Sequence, residues 1–349
     1  MQKPEPTVAR WLFFCATFVF FIAVVGAITR LTESGLSIVQ WQPIMGVIPP
    51  LNHAAWLHEF KLYKTSPQYR DYNAGMSLAA FKHIFFWEWF HRLIDRLLGF
   101  IYAVPLLWFW KRGKISSELK KPLLGILVLG GMQGLLGWYM VKSGLVHRPS
   151  VSHYRLAAHF MLAVLIYCCF IRAGCLFGAA REAGSETLSR LRNLARLAVG
   201  AVAVTMTWGA FTAGLRAGLL YDDSFPYMGQ HLWPGEMFFH KPWWINFFNN
   251  PAAVQFTHRA MAVTTFSILL ILVAWGIKLK PPPRLKRVLA GIAIMAFVQV
   301  GLGVSILLTH VNIIVAVSHQ AGALTILALL MFLLHNIPYT EGVKNHAST

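Results

Sequence analysis

Two short stretches place ionisable side chains where everything around them is apolar. FFWEWFHR, residues 85–92, carries Glu88, His91 and Arg92, and an apolar run of helical length follows from Leu97 to Trp110. FTHR, residues 256–259, repeats the theme with His258 and Arg259, but Gln255 stands where the first stretch has Glu88. An imidazole can ligate a metal or carry a proton, and a guanidinium can hold an anionic group. A carboxylate three residues before a histidine shares its helical face. Ionisable groups at membrane depth are costly and by default mark function. Their meaning depends on which elements hold them and on whether other histidines sit at the same depth.

The chain of 349 residues is 56% hydrophobic and 13% charged. Soluble domains carry about 25% charged residues, so the composition is that of an integral membrane protein. Apolar runs long enough to cross a bilayer fall at about 11–29, 88–110, 122–141, 153–176, 195–215, 253–277, 287–308 and 312–335.

The net charge of +18 is a topology signal, which excludes nucleic acid as the partner. More than half of the 31 Lys and Arg residues lie at one set of span ends: Lys3 and Arg10, Lys111 to Lys121, Arg172 to Arg196, Lys278 to Arg287, and Lys344. The two long loops on the other side, about 30–87 and 216–252, are poor in basic residues for their length. By the positive-inside rule both termini are cytoplasmic. Span 1 has no small-residue cleavage site after it and reads as a retained helix in a bacterial inner membrane. Cys15, Cys168, Cys169 and Cys175 lie in spans or near the cytoplasmic face, so no outer disulfide is expected.

The chain repeats itself. Gly26-Ala27-Ile28-Thr29 ends span 1 and Gly209-Ala210-Phe211-Thr212 ends span 5. Gly35-Leu36 and Gly218-Leu219 follow at the same offset of 183. Each copy continues into a long aromatic loop and then His-Arg. Spans 3 and 7 share Gln133, Leu136, Gly137 and Gln299, Leu302, Gly303. The expected fold is all-α and membrane-integral: eight transmembrane helices as two tandem four-helix bundles, 1–180 and 190–349. An even number of helices per copy gives both the same orientation, related by a pseudo-two-fold along the membrane normal.

His91 opens span 2, His159 lies two turns into span 4, His258 opens span 6 and His319 lies two turns into span 8. All four spans start from the outer side, so the imidazoles sit within roughly 10 Å of its edge. Two histidines from two helices in each bundle suit bis-histidine haem ligation. Arg92 and Arg259 are then placed to pair with haem propionates. A single such histidine is more often a simple interfacial residue; the duplicated pair at matching depth weakens that reading. Zinc favours closer ligand spacing or thiolates, and the outer side has none. His153 competes with His159, because Val151-Ser152-His153 aligns with Val317-Ser318-His319. The two lie about 120° apart on a helix, so they do not face one haem together.

Only the first copy sets a carboxylate beside its histidine. A site that merely carries electrons gains nothing from Glu88; a site that moves protons or stabilises a developing cation does. The plainer alternative is an i, i+4 pair between Glu88 and Arg92.

These residues complete a resemblance that covers nearly the whole chain. GAITRLTESGLSIVQWQPIMGVIPP (26–50), FKHIFFWEWFHRLIDRLLG (81–99), VSHYRLAAH (151–159), FTHRAMA (256–262) and SHQAGALT (318–325) resemble the haem A synthase family in its proteobacterial and mitochondrial form. The cysteine pair of the Gram-positive branch's first outer loop is absent, so thiol-linked electron entry does not carry over. The resemblance implies oxidation of a ring methyl of haem O to the formyl group of haem A by successive hydroxylations, for cytochrome oxidase assembly. It implies a resident haem b on His258 and His319, substrate haem O on His91 and His159, and a role for Glu88 in stabilising or deprotonating an intermediate. It further implies contact with haem O synthase and an electron donor, and leaves a homo-oligomer open.

Two other classes share some of these features. A two-haem, quinol-oxidising cytochrome b needs the four histidines but gives Glu88 no chemistry. A tandem-repeat transporter predicts interrupted helices and polar midplane residues, which the spans lack. Loop residues that would roof the two sites are Glu33-Ser34-Gly35 and Trp41-Gln42-Pro43 in the first copy. In the second they are Arg216, Tyr221-Asp222-Asp223 and Trp243-Trp244, although the aromatics read first as an interfacial belt and only second as porphyrin contacts.

Overall fold

In the computed structural model, residues 5–40, 45–144, 150–178, 186–222 and 224–337 are described. Among them eight helices are long and apolar enough to span a membrane: α1 (Pro6–Leu31), α4 (Leu78–Lys111), α5 (Ser117–Gly144), α6 (His153–Gly178), α7 (Glu186–Gly214), α9 (Pro251–Lys278), α10 (Pro283–Leu308) and α11 (Ile313–Asn336). Three short helices, α2 (His53–Tyr63), α3 (Pro67–Tyr72) and α8 (Asn246–Asn249), belong to the two long loops. The all-α membrane architecture therefore stands as expected. Trp41-Gln42-Pro43, Asp223, Lys3, Arg181 and Lys344 lie outside the described residues.

α4 differs from its expected extent. It begins at Leu78, ten residues before the apolar span at Glu88, because the Ser77 side chain accepts from the Ala80 N–H and caps it there. The added turns are buried by something other than lipid. Phe81, Ile84 and Phe85 pack with Phe60 and Tyr63 of α2 in a separate cluster. His91 thus sits well inside a helix whose outer end wears a small folded cap. α9 starts with Asn250 accepting from Ala252 and Ala253 N–H and with Pro251 in its first turn, so His258 is two turns in.

The main core runs between the two sets of four spans. α1 packs on α6, α7 on α9, and α11 touches α1, α6 and α7. Gln320 Nε2 of α11 donates to Ala23 O of α1 at 2.8 Å. Gly174 lets Phe13 against α6, where an added Cβ would lie 2.9 Å from the ring. At the opposite end from the long loops, Glu5 N–H donates to Phe177 O and Arg192 donates to Ile337 O.

Candidate haem sites

The four histidines singled out by sequence each lie against a glycine of a neighbouring helix. A Cβ on Gly26 of α1 would stand 3.1 Å from His91 Cε1. The corresponding distances are 3.0 Å for Gly137 of α5 and His159, 3.1 Å for Gly209 of α7 and His258, and 3.1 Å for Gly303 of α10 and His319. Each ring is laid on backbone, where no other residue type leaves room without moving it. In the sequence these glycines serve only as markers of the repeat; their spacing in fact records the seat of each imidazole.

The rings pair as the helix order requires. His91 and His159 lie within electrostatic range of one another, as do His258 and His319. His258 Nδ1 sits 3.2 Å from Thr205 O. With the proton on Nδ1 donated to that carbonyl, Nε2 keeps its lone pair for a metal, the usual arrangement around a ligating histidine. His159 Nδ1 and His319 Nδ1 are buried without a hydrogen-bond partner, as are Gln133 Oε1 and Gln299 Oε1 beside them. Gln133 Nε2 lies 3.4 Å from His159 Nε2, and Gln299 Nε2 donates to His319 O at 3.0 Å. Buried polar atoms left without partners are rare. Here they accompany paired imidazoles seated on glycines, a donor set that fits a haem.

His153 is elsewhere. It lies on the α6 face that meets α7, where a Cβ on Gly214 would stand 2.5 Å from its own Cβ, and its ring stacks near Tyr154 and Phe211. The contact of His159 with Gly137 matches that of His319 with Gly303, so the structural counterpart of His319 is His159. The Val-Ser-His alignment is offset from it by six residues.

Glu88 is 3% exposed and fully engaged. It accepts from Ser37 Oγ and Ile38 N–H, both at 2.7 Å, and pairs with Arg92 at 2.5 Å. Arg92 also donates to Ile38 O at 3.2 Å. In the second set of helices Gln255 Nε2 donates to Ala217 O at 2.9 Å and Leu220 O at 2.6 Å, and Arg259 donates to Tyr221 O at 3.2 Å. Ile38 and Tyr221 differ by the repeat offset. Both arginines therefore tie the equivalent loop carbonyl, while the residue three before each histidine anchors the loop with opposite polarity.

Asp95 was not singled out by sequence. It is half-buried on α4, one turn beyond His91, within electrostatic range of His159 and next to Arg96; its i+4 spacing from His91 was the available signal. The counterpart by offset from His258 is Ala262.

Among the roofing candidates, Ser34 is buried, and Glu33 pairs with Arg216 at 2.6 Å, linking the two long loops. Tyr221 donates to Glu236, and Asp222 meets His310 at 2.8 Å. Trp243 and Trp244 are exposed, at 62% and 52%. None of the four cysteines forms a disulfide.

Eight membrane-spanning-type helices carrying two pairs of buried histidines define a class of multi-pass membrane protein. Comparison with known proteins narrows the class: the model of the cytochrome oxidase assembly protein family matches residues 9–331, and the chain belongs to that family. Among its relatives is the heme A synthase of Rhodospirillum centenum, 47% identical over 94% of this chain and 87% of its own. The heme A synthase of Agrobacterium fabrum is 46% identical over 93% and 89%, and that of Nitrosospira multiformis 43% identical over 97% and 94%.

Proposed function

We propose that this protein is a haem A synthase, an oxidoreductase that converts the ring methyl of haem O to the formyl of haem A. The observation that carries the reading is the pair of glycine-seated histidine sites, only one of which has acidic neighbours. In this reading residues 1–180 hold the substrate haem O on His91 and His159. Residues 190–349 hold haem b on His258 and His319, where it supplies one-electron chemistry when bound. The basic span ends put both termini in the cytoplasm of an inner membrane and the haem sites toward the periplasm. Haem O synthase upstream and a separate electron donor are the partners the reaction requires.

The chain's own residues supply position and charge. Thr205 O sets the tautomer of His258. Gly26 and Gly137 let the first pair of imidazoles approach from opposing helices. Glu88 is held beside His91 by three donors, which suits an electrostatic stabiliser of a developing cation better than a proton acceptor. Arg92 and Arg259, which hold the loop carbonyls of Ile38 and Tyr221, are the cations that would meet the haem propionates.

Extraction and chromatography of the bound haems, from protein made with and without a haem O supply, tests this. The expected result is haem b alone without the supply, and haem b with haem O, haem A or a hydroxylated haem with it. Haem b in both sites under both conditions would leave an electron-transfer cytochrome b.

A further inference from the structure

Charge is distributed differently around the two histidine pairs. On α4 the charged residues near His91 are Glu88, Arg92, Asp95 and Arg96; at the matching places on α9 stand Gln255, Arg259, Ala262 and Val263. α11, which carries His319, has no Asp, Glu, Lys or Arg between Ile313 and Asn336.

Glu88 and Arg92 pair at 2.5 Å, so their charges largely cancel beyond their own contact. Asp95 and Arg96 do not cancel in that way. Successive residues on a helix point about 100° apart. Arg96 turns to the long outer loop, where its Nη1 lies 3.5 Å from Gly46 O. Asp95 follows His91 by four residues, which puts both on one face with about 6 Å of rise between them. It lies within electrostatic range of His159 on α6. Among the described residues its carboxylate has no hydrogen bond and no ion pair.

In the second set Arg259 donates to Tyr221 O and Tyr227 O, and no carboxylate pairs with it among the described residues. The first histidine pair therefore has a negative group on its ligand's face where the second has Ala262 and, one turn outward, a cation. The cluster of Arg30, Glu33 and Arg216 sits where the two long loops meet and bears on both sites.

A ferric porphyrin carries one more positive charge than a ferrous one. A carboxylate near the iron favours the oxidised form, and a guanidinium favours the reduced form. The two sites also adjoin. Gln320, the residue after His319, donates to Ala23 O of α1 at 2.8 Å, and Ala23 is three residues from Gly26, the seat of His91. One hydrogen bond thus joins the helix that carries a ligand of the second site to the helix that floors a ligand of the first.

We propose that Asp95 holds the haem of the first site at a lower reduction potential than the haem of the second, so that electrons run from the first site to the second. The proposal rests on the reading of each histidine pair as a haem site. In each transfer one electron leaves the first iron, which passes from ferrous to ferric, and the second iron takes it, passing from ferric to ferrous. No proton or further reactant enters the exchange. This order suits an oxidation at the first site, whose electrons then have an acceptor next to them.

The test is a potentiometric titration of full-length protein with haem b in both sites, so that any difference between the irons comes from the protein and not from the porphyrin. The spectral component missing from His91→Ala identifies the first site. Wild type should titrate in two steps, with the first site at the lower potential. Asp95→Asn should move that step alone upward, by on the order of tenfold in the ferrous-to-ferric ratio at a fixed applied potential. Asp95→Glu, which keeps the charge, should stay close to wild type; a residue that only packs would not separate Asn from Glu in this way.

A lower step that stays in place in Asp95→Asn would overturn the proposal, as would a first site that titrates above the second. Equal shifts of both steps would also overturn it, since the charge would then belong to neither site. Wild type that takes up only one haem would remove the two-haem reading itself and the proposal with it.

Discussion

The two histidine sites share a frame and differ in what surrounds it. Both seat each imidazole on a glycine of the adjacent helix, and both anchor the outer loop through the residue three before the first histidine and the arginine after it. The second site then closes: Ala296 is buried, α11 presses on Gln299, and Gln255 is neutral. In the first set Gly130 is exposed, and Glu88 and Asp95 stand beside His91 on α4. A site that keeps its ligand gains from tight packing on every side. A site that binds, changes and releases one needs a way in and fixed charge at the reacting position. The difference lies in what fills and charges the two sites.

The largest separation comes from removing one ligand at a time. His258→Ala should abolish retention of the resident haem, read as loss of its low-spin spectrum, and product formation with it. His91→Ala should leave that spectrum intact and lose only the porphyrin of the first site. If His91→Ala strips both haems, the sites are not independent.

Exchanging the loop anchors sharpens the contrast. Glu88→Gln keeps the shape but loses the charge and one acceptor for Ser37 Oγ, Ile38 N–H and Arg92; product formation should fall by about 10²-fold with the second haem unchanged. Gln255→Glu is the opposite error. It faces a carboxylate toward Ala217 O and Leu220 O, acceptors with nothing to donate. Leaving those groups unpaired costs about 1–3 kcal/mol each, so thermal unfolding of the second site should move downward. A Gln255→Glu protein as stable as wild type would show that the polarity of the loops is not set by this residue.

The glycines should respond more mildly. Alanine at Gly26 or Gly303 puts a methyl 3.1 Å from an imidazole carbon, tight enough to shift the ring by a few tenths of an ångström. Overpacking of this kind costs about 1–3 kcal/mol, and its signature is a changed axial-ligand spectrum at that site alone: first site for Gly26→Ala, second for Gly303→Ala. Equal effects of either variant on both spectra would contradict the one-glycine, one-histidine arrangement.

Much of this was legible in the sequence for a physical reason. Membrane helices announce themselves by apolar length, and the duplicated His-Arg pairs and Gly-Ala motifs survive because the frame needs them. The outer extension of α4 did not show, since its burial comes from aromatic residues of α2 far off in sequence rather than from lipid. His159 and His153 could not be separated on alignment, because the helix pairs are offset by different amounts: 166 between Gly137 and Gly303, 160 between His159 and His319. The glycine contacts separate them: His159 lies against Gly137 of α5 and His153 against Gly214 of α7. The engagement of Glu88 with Ser37 and Ile38 was equally hidden, since it depends on how a loop folds back fifty residues away.

The smallest effect belongs to an ion pair that joins the two loops directly. Glu33 and Arg216 differ by the repeat offset of 183, both have φ near +55°, and they meet each other at 2.6 Å. The guanidinium also lies over Tyr72 at 5.2 Å. Both side chains are more than 40% exposed, so solvent screens the pair and its coupling should be no more than about 1 kcal/mol. A double-mutant cycle with Glu33→Ala and Arg216→Ala, read by unfolding at low and high salt, measures it. The φ values add a separate expectation. A left-handed non-glycine backbone is strained, so Glu33→Gly and Arg216→Gly should recover part of what their alanine variants lose. Glycine variants no more stable than alanine ones would mean that the turn, rather than the ion pair, carries no energy here.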